Sequence, residues 1–308
     1  MILIKSVNIS EEKGTVKVPV DQIRLTRYGV KGDAHSGNWN RQVSLLGTES
    51  IRRFEKDSGR KTRPGEFAEN ITTEGFELWK VHPLDRFICN NLEMEVTQIG
   101  KECHGSHCSI FREVGNCVMP KEGIFARVIR EGTLQAGDQL DYQPKVFRIL
   151  VLTLSDRASA GEYADLSGAR IQEMAGDFFT KHARKYIMQY ALIPDDAQKL
   201  EEMINQAKYD SADLVITTGG TGIGPRDFTP DVVRPMLDKE IPGIMDMIRL
   251  KYGTEKPNAL LSRSIAGVMG KSLIFTLPGS LRAVNEYFGE ISKSLLHMVY
   301  MLHGLDTH

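Results

Sequence analysis

A glycine-rich segment that directly follows a short apolar run constrains the fold of this chain more than any other feature. The segment Thr217–Pro230 reads T-T-G-G-T-G-I-G-P-R-D-F-T-P, and the apolar residues Leu214–Ile216 before it predict a buried strand. Its four glycines allow positive φ angles and a close approach of a ligand to the main chain. Thr229 and Pro230 are typical of the start of a helix. A strand, a glycine loop and a helix N-terminus in this order point backbone N–H groups at an anion.

Two charged residues, Arg226 and Asp227, lie between the glycines and the predicted helix. Arginine pairs with phosphate oxygens, whereas a carboxylate beside phosphates repels the ligand unless Mg²⁺ lies between them. The pair therefore indicates a site for a metal–nucleotide complex. Two known phosphate motifs do not fit, because G-x-x-x-x-G-K-[ST] lacks its lysine here and Pro225 replaces the third glycine of G-x-G-x-x-G. The alternative is a glycine turn that only reverses the chain.

Length and composition limit the class of protein. A chain of 308 residues predicts two domains, and 41% hydrophobic with 26% charged residues is ordinary for a soluble globular protein. A net charge of −1 gives no bulk field that favours nucleic acid or an anionic membrane, and no apolar run has the length of a membrane span. The N-terminus does not read as a signal peptide, and four cysteines are no disulfide framework. We therefore expect a reduced, cytoplasmic protein without nucleic-acid or membrane partners.

The first part of the chain, residues 1–143, consists of short alternating runs that glycines and polar turns separate. Period-two alternation of this kind predicts strands with one solvated face, for example over residues 14–20, 86–90 and 92–99. One helix is predicted over residues 48–56. Many short strands with few helices are typical of a β-barrel or a sandwich.

Cysteine and histidine residues are concentrated in the segment Cys103–Cys108 of this first part. They could bind zinc, although a structural zinc site usually draws its ligands from two separated pairs. The other interpretation is a reactive thiol at Cys103, since it lies between Lys101 and a histidine, and neighbouring positive charge favours the thiolate. Small core residues are the simplest interpretation of Cys89 and Cys117.

From Val146 onward the chain alternates apolar strands with helical segments, which predicts a sheet with helices on both faces. We expect strands over 147–154, 185–193, 214–216 and 271–277, and helices over 167–180, 197–208, 234–250 with an interruption at Pro242, and from 281 onward. The segment 143–145 marks the change of pattern and contains no flexible linker. The predicted domains are therefore residues 1–143 and 146–308.

Polar or glycine-containing segments stand at the ends of four predicted strands in this second part. Because ligands bind beyond the carboxyl ends of parallel strands, we expect these segments to meet in one crevice. They are Ser155-Asp156-Arg157, Asp195-Asp196, Gly219–Asp227 and Pro278-Gly279-Ser280. Three of them have a structural alternative: either Asp195 or Asp196 caps a helix, Ser280 caps the last helix, and Asp156 pairs with Arg157 or another neighbour.

The first part resembles the MOSC domain, the C-terminal domain of molybdenum-cofactor sulfurase. The resemblance rests on Gly65–Thr72, on the segment from Gln98 to His104 and on Gly132–Asp138. It implies a β-barrel that handles the molybdenum cofactor, in which a single cysteine carries or ligates sulfur. By position that cysteine is Cys103.

The second part resembles molybdopterin adenylyltransferase, a member of the molybdopterin-binding superfamily. The matching elements are Ser155-Asp156-Arg157, Ile193-Pro194-Asp195, Thr218–Pro230, Leu260–Arg263 and Leu277-Pro278-Gly279. The resemblance implies a three-layer α/β/α domain with a mostly parallel sheet. It also implies Mg²⁺, ATP and molybdopterin as ligands, a homotrimer, and other molybdenum-cofactor assembly proteins as candidate partners.

The same resemblance implies a role for individual residues. Asp195 and Asp227 would hold Mg²⁺ or orient the attacking phosphate, and Arg226 would neutralise developing charge. The remaining implied binding residues are Ser155, Asp156, Gly219, Gly220, Thr221, Gly222, Ser262, Pro278, Gly279 and Ser280. The resulting hypothesis is a bifunctional protein that adenylylates molybdopterin. A non-catalytic cofactor carrier and a molybdate-insertion enzyme are the alternatives.

Overall fold

The computed structural model describes residues 1–102 and 117–305 of the chain. These residues divide into two compact units. The first contains Met1–Lys145 together with Leu305, and the second is Val146–Gly304. The division falls at the change of sequence pattern around residues 143–145.

The first unit is built from short strands. They are β1 (Ile2–Ile9), β2 (Val18–Val20), β3 (Gln22–Thr26), β4 (Gly29–Val30), β5 (Val43–Gly47), β6 (Ile71–Glu74), β7 (Arg86–Cys89), β8 (Leu92–Ile99), β9 (Ile124–Arg130), β10 (Gly132–Gln135) and β11 (Gln139–Gln143). Seven of them close into a barrel in the order β1-β6-β5-β9-β8-β7-β11, with β11 pairing back to β1. Only β5 and β6 in this ring run parallel. The predicted barrel is confirmed.

Alternating side chains fill the barrel. In β1, Ile2, Ile4 and Val7 are buried, and they join Phe87 and Met94 in one apolar core. The predicted helix over 48–56 is confirmed as α1 (Thr48–Ser58), which packs with the short α2 (Met119–Glu122) on a second, smaller cluster. A 3₁₀ turn spans Leu78–Lys80.

The second unit contains one sheet and most of the helices. Its strands are β12 (Val146–Leu154), β13 (Lys185–Ile193), β14 (Leu214–Thr218), β15 (Lys239–Glu240), β16 (Ala266–Met269) and β17 (Ser272–Leu277). Its helices are α3 (Asp156–Ser159), α4 (Leu166–Lys181), α5 (Ala197–Tyr209), α6 (Thr229–Val233), α7 (Pro242–Gly253), α8 (Leu281–Ile291) and α9 (Leu295–Leu302), with 3₁₀ turns at Arg234–Met236 and Pro257–Leu261. None of the helices in the described residues is long and apolar enough to cross a membrane.

The sheet has the order β13-β12-β14-β17-β16-β15. Its first four strands are parallel, and β16 and β15 are antiparallel additions. Strands β14 and β17 are buried along their whole length, as expected for parallel strands covered on both faces. On one face Leu150 and Leu152 of β12 pack with Leu200 and Ile204 of α5. On the other, β12 meets α4 through the Phe147–Phe179 ring pair. The predicted three-layer α/β/α architecture is confirmed.

Two local predictions in this unit are wrong. Residues 234–250 do not form a helix interrupted at Pro242; Pro242 begins α7, since its fixed φ and missing N–H suit the first turn. Thr229 is not an N-cap, because Phe228 holds that position and the five-residue α6 begins at Thr229. The hydroxyl of Thr229 instead donates to the carbonyl of Gly219, at 2.9 Å.

Candidate functional site

The order of the parallel strands places the glycine loop at a topological switch point. From β12 the chain passes to β13 on one side, and then returns to β14 on the other side of β12. Crossovers that diverge in this way leave a crevice beyond the carboxyl ends of the two central strands. The segments that follow β12 and β14 are Ser155–Asp156 and the glycine loop.

The glycine loop passes closely over its neighbours. Gly219 has a φ of 105° and Gly220 a φ of 63°, both in the region that favours glycine. A Cβ atom on Gly219 would lie 2.3 Å from the backbone oxygen of Leu154. The amide of Gly219 donates to Leu277 O at 3.0 Å, and the amide of Thr229 donates to Gly220 O at 3.0 Å. Main-chain hydrogen bonds therefore fix the loop at both ends, and at Gly219 the close approach to Leu154 leaves no room for a side chain.

Within this loop, some amides are not used by the fold. Among the residues that the structure describes, Gly220, Thr221 and Gly222 donate no backbone hydrogen bond to the protein. Consecutive free amides in a turn form a concave site for an anion. The loop, and not the short helix α6, supplies the donors for such a ligand.

A cavity of about 580 Å³ opens beside the loop. Its walls bring together nine residues that the sequence predicts as site residues: Gly219, Gly220, Thr221, Gly222, Asp227, Ser262, Pro278, Gly279 and Ser280. The lining also contains charged residues to which the sequence assigned no role, Lys256, Arg282 and Glu286. Arg282 and Glu286 lie one helical turn apart on α8, and Arg282 Nε donates to Glu286 Oε1 at 2.6 Å. Their i, i+4 spacing in the sequence predicts this pair, but not its place in the cavity.

Asp227 lines this cavity, and its carboxylate contacts the loop. Oδ2 of Asp227 accepts a hydrogen bond from the amide of Gly224 at 2.8 Å. A Cβ atom on Gly222 would lie 2.7 Å from the same oxygen, and one on Gly224 would lie 2.9 Å from it. Positions 222 and 224 therefore need glycine because the half-buried Asp227 carboxylate occupies the space that a Cβ atom would take.

Asp156, Asp195 and Arg226 form a separate network. The amide of Asp195 donates to Asp156 Oδ1 at 2.8 Å, and the amide of Asp156 donates to Asp195 Oδ2 at 3.2 Å. Arg226 forms an ion pair with the other carboxylate oxygen of Asp156. None of these three described residues lines the 580 Å³ cavity. The structure therefore joins Asp195 to Asp156 and does not place it in the cavity with Asp227.

Three of the polar residues at strand ends cap helices. The side chain of Ser155 accepts from the amide of Ala158, Asp196 accepts from Lys199, and Ser280 accepts from Ala283. Asp196, and not Asp195, is thus the cap of α5, which leaves the Asp195 carboxylate for its contact with Asp156. Ser280 both caps α8 and lines the cavity.

The donor set fits a Mg²⁺ ion that is held mainly by a substrate. The described residues contain no group of three or more His, Cys, Asp or Glu side chains placed to bind a metal. Magnesium in nucleotide sites is commonly held by one or two carboxylates together with phosphates and waters. The Asp227 carboxylate, beside free loop amides, fits such a shared site.

The first unit contains a buried polar cluster formed by Lys17, Asp33 and Asn70. Lys17 and Asp33 form an ion pair whose side chains are 1% and 0% exposed. Asp33 also accepts from the amide of His35 at 2.9 Å and from Asn70 Nδ2 at 3.0 Å. Burial opposes ionisation of Asp33, but the hydrogen bonds from His35 and Lys17 hold the pKa of that carboxyl well below its usual range. Burial lowers the pKa of the Lys17 ammonium.

Glu69 lies next to this cluster and is completely buried. Its Oε1 accepts from the amide of Gly65 at 2.6 Å and from Thr72 at 2.8 Å, while Oε2 has no partner among the described residues. Burial raises the pKa of the Glu69 carboxyl, and the hydrogen bond from Gly65 opposes this. The folded state therefore holds the Glu69 proton more tightly than the unfolded state. The protonated carboxyl stabilises the fold fully below the pKa that Glu69 has in the unfolded chain, and this stabilisation is lost as the pH rises through its pKa in the folded protein.

We expect Glu69→Gln to remove this loss. The difference in free energy of unfolding, variant minus wild type, should grow by about 1–3 kcal/mol from pH 4.5 to pH 7.5, because only wild type must bury an ionised group; this is the cost of an uncompensated buried polar group. Urea unfolding followed by tryptophan fluorescence measures it selectively, because both tryptophans, Trp39 and Trp79, lie in the first unit. The exposed Glu11→Gln is the control, and parallel pH curves for wild type and Glu69→Gln would contradict the prediction.

The cysteines are only partly within the described residues. Cys89 is buried, and burial raises the pKa of its thiol, in agreement with a core residue. Cys117 is half-buried beside the cluster of α1. Cys103 and Cys108 lie outside the described residues, so the reactive thiol and the zinc site remain predictions.

Comparison with known families matches both units. Residues 32–141 match the model of the MOSC domain. Residues 150–297 match a family model described as a probable molybdopterin binding domain. The molybdopterin adenylyltransferase of Helicobacter pylori is 35% identical over 161 residues, which cover 52% of this chain and 90% of that protein. The chain belongs to the molybdopterin-binding family. It also contains a MOSC domain, so both resemblances seen in the sequence are confirmed.

Other relatives match the molybdopterin-binding domain alone. Gephyrin of Dictyostelium discoideum is 36% identical over 163 residues; the match covers 50% of this chain and only 22% of that protein. The molybdopterin biosynthesis enzyme MoaB from Thermus thermophilus, known from a crystal structure, is 34% identical in sequence. The match covers 51% of this chain and 97% of MoaB, with a TM-score of 0.46. Two relatives that are 34–35% identical to the C-terminal half are named molybdopterin adenylyltransferase, which is a nucleotidyltransferase.

Proposed function

We propose that this protein acts in molybdenum-cofactor biosynthesis, and that its second unit transfers an adenylyl group from Mg-ATP to molybdopterin. The cavity beside the glycine loop carries the proposal, because loop residues with free amides line the same space as the acidic residue Asp227. Its relatives named molybdopterin adenylyltransferase support the choice of reaction.

Different residues of the cavity would bind different parts of the two substrates. The amides of Gly220, Thr221 and Gly222 would hold phosphate oxygens, and Lys256 and Arg282, which line the same cavity, would add positive charge. Asp227 would hold Mg²⁺ against those phosphates, and the ion would neutralise negative charge on them. Ser262 and the segment 278–280 would contact the pterin or the nucleoside.

The reaction needs position and charge balance more than a protein nucleophile. A terminal phosphate oxygen of molybdopterin attacks the α-phosphorus of ATP, a new P–O bond forms, and the bond to pyrophosphate breaks. Holding both reactants in line accounts for much of the acceleration in reactions of this class. The rigid loop, fixed at Gly219 and Thr229, suits that task.

Arg226, Asp156 and Asp195 would act at the edge of this site. Arg226 is 71% exposed and pairs with Asp156, so incoming phosphates would compete with that carboxylate for the guanidinium. Asp195 would orient the attacking phosphate through its contact with Asp156. Ser155 and Asp156 would contribute to ligand binding from the end of β12.

For the first unit we propose that the MOSC domain binds the cofactor or carries sulfur on Cys103, which its sequence context favours. A cytoplasmic location, a homotrimer and contacts with other assembly proteins belong to the same proposal. Both units would then serve one pathway.

Pyrophosphate release tests the proposed reaction. We expect the purified full-length protein to release pyrophosphate from Mg-ATP only when molybdopterin is present, and to form adenylylated molybdopterin in equal amount. Binding of molybdopterin without release would indicate a carrier. Activity only with adenylylated pterin and molybdate would indicate an insertion enzyme, and either result would overturn the proposal.

A further inference from the structure

A single arginine outside the glycine loop contacts the loop at several points. Nε of Arg263 donates to the carbonyl of Gly222 at 2.7 Å, and Nη2 donates to the carbonyl of Asp227. The backbone amide of Arg263 donates to the carbonyl of Thr221 at 2.8 Å. These acceptors lie on both sides of the exposed loop tip, residues 223–226.

A carboxylate holds this arginine in place. Nη1 of Arg263 donates to both carboxylate oxygens of Asp231 on α6, at 2.8 and 2.9 Å. With these bonds, all three guanidinium nitrogens of Arg263 donate to the protein. The guanidinium is therefore committed to the loop and to Asp231, and it is not placed to bind a ligand.

These contacts also fix the direction of the loop amides. Because a trans peptide is planar, the carbonyl of Thr221 and the amide N–H of Gly222 point in opposite directions. The bond from the Arg263 amide to Thr221 O therefore turns the Gly222 N–H away from Arg263. Gly222 is one of the residues that line the cavity.

We propose that Arg263 is a positioning residue that holds the glycine loop in its anion-binding conformation before a ligand arrives, and that Asp231 orients Arg263. This inference rests on the proposed function for its catalytic consequence. Donors fixed in advance do not have to be ordered in the transition state, so their loss lowers the rate constant as well as the affinity. Arg263 acts through the loop and through Asp227, and it touches neither substrate.

Hydrogen exchange on the free full-length protein tests the anchor without any substrate. Arg263→Lys retains a positive charge but cannot reproduce the fork of contacts. We expect the hydrogen-bonded amides of Gly224, Asp227 and Thr229 to exchange at least about tenfold faster in this variant, as local opening becomes easier. Arg234→Lys, which alters the Arg234–Glu240 pair at 3.1–3.2 Å, is the matched control and should leave these amides unchanged. Unchanged exchange in Arg263→Lys would overturn the anchor.

Steady-state kinetics test the catalytic consequence. We expect kcat to fall about 10–100-fold in Arg263→Lys, since small displacements of reacting groups have effects of this size. In an Asp227→Asn background the same substitution should cost less than about threefold, because the two residues act through one element. Equal costs in both backgrounds would show a general loss of stability and refute the positioning role. If wild type itself shows no turnover, the proposed reaction fails, while the exchange result still decides the anchor.

Discussion

Replacing Asp227 by asparagine is expected to reduce molybdopterin-dependent pyrophosphate release by about 10²–10³-fold, as does the loss of one preorganised charge-stabilising group in other enzymes. Asparagine keeps an oxygen that can accept from the Gly224 amide, so the loop should keep its conformation. What it loses is the negative charge that would hold Mg²⁺ at the phosphates. The measurement is kcat for pyrophosphate release at saturating Mg-ATP.

The control for this variant is Asp196→Asn. Asp196 caps α5, and asparagine is an equally good cap, so activity and stability should stay at the wild-type level. Binding of molybdopterin to Asp227→Asn, measured by pterin fluorescence, should survive because the rest of the cavity is intact. An Asp227→Asn protein with wild-type turnover would remove this residue from the mechanism.

Replacing Gly219 by alanine is expected to have the second large effect. The new Cβ would lie 2.3 Å from Leu154 O, and the φ of 105° is unfavourable for alanine. Because the neighbour is a backbone atom of a central strand, it cannot move aside cheaply. We expect a loss of about 2–4 kcal/mol in the stability of the second unit and no measurable adenylyl transfer.

Gly289→Ala tests whether the effect is specific. Gly289 lies inside α8 with no atom within 4 Å of its Cβ position, so alanine there should stabilise the helix by up to about 1 kcal/mol. Differential scanning calorimetry of the full-length protein measures both variants. A Gly219→Ala protein that melts like wild type would show that the loop does not pass over β12 as described.

The architecture could be predicted because the two parts of the chain have different patterns of apolar residues. Alternating runs such as Leu92–Ile99 predict strands whose two faces differ in polarity, while the continuous apolar run Leu214–Ile216 predicts a strand covered on both faces, as observed. The glycine loop was also predictable, since few structures other than a close backbone approach need so many glycines. Nine of the predicted site residues do line one cavity for this reason.

Side-chain partners were less predictable. Asp195 and Asp196 are identical in type, and the side chain of Asp195 accepts from the Asp156 amide while that of Asp196 accepts from the Lys199 amide, so only the three-dimensional structure decides which one caps α5. Arg263 lies 41 residues from Gly222, so no local pattern reveals their contact. The prediction at Pro242 was wrong because proline both ends and begins helices, and because β15, just before Pro242, pairs with the distant strand β16.

The pairing of β1 with β11 closes the barrel and brings together the places where the chain enters and leaves it, with Ile2 opposite Leu140. A module whose two ends emerge side by side can be joined to another protein without distorting its own structure. The pairing of β1 with β11 thus allows the MOSC domain to be fused to a different enzyme through either end.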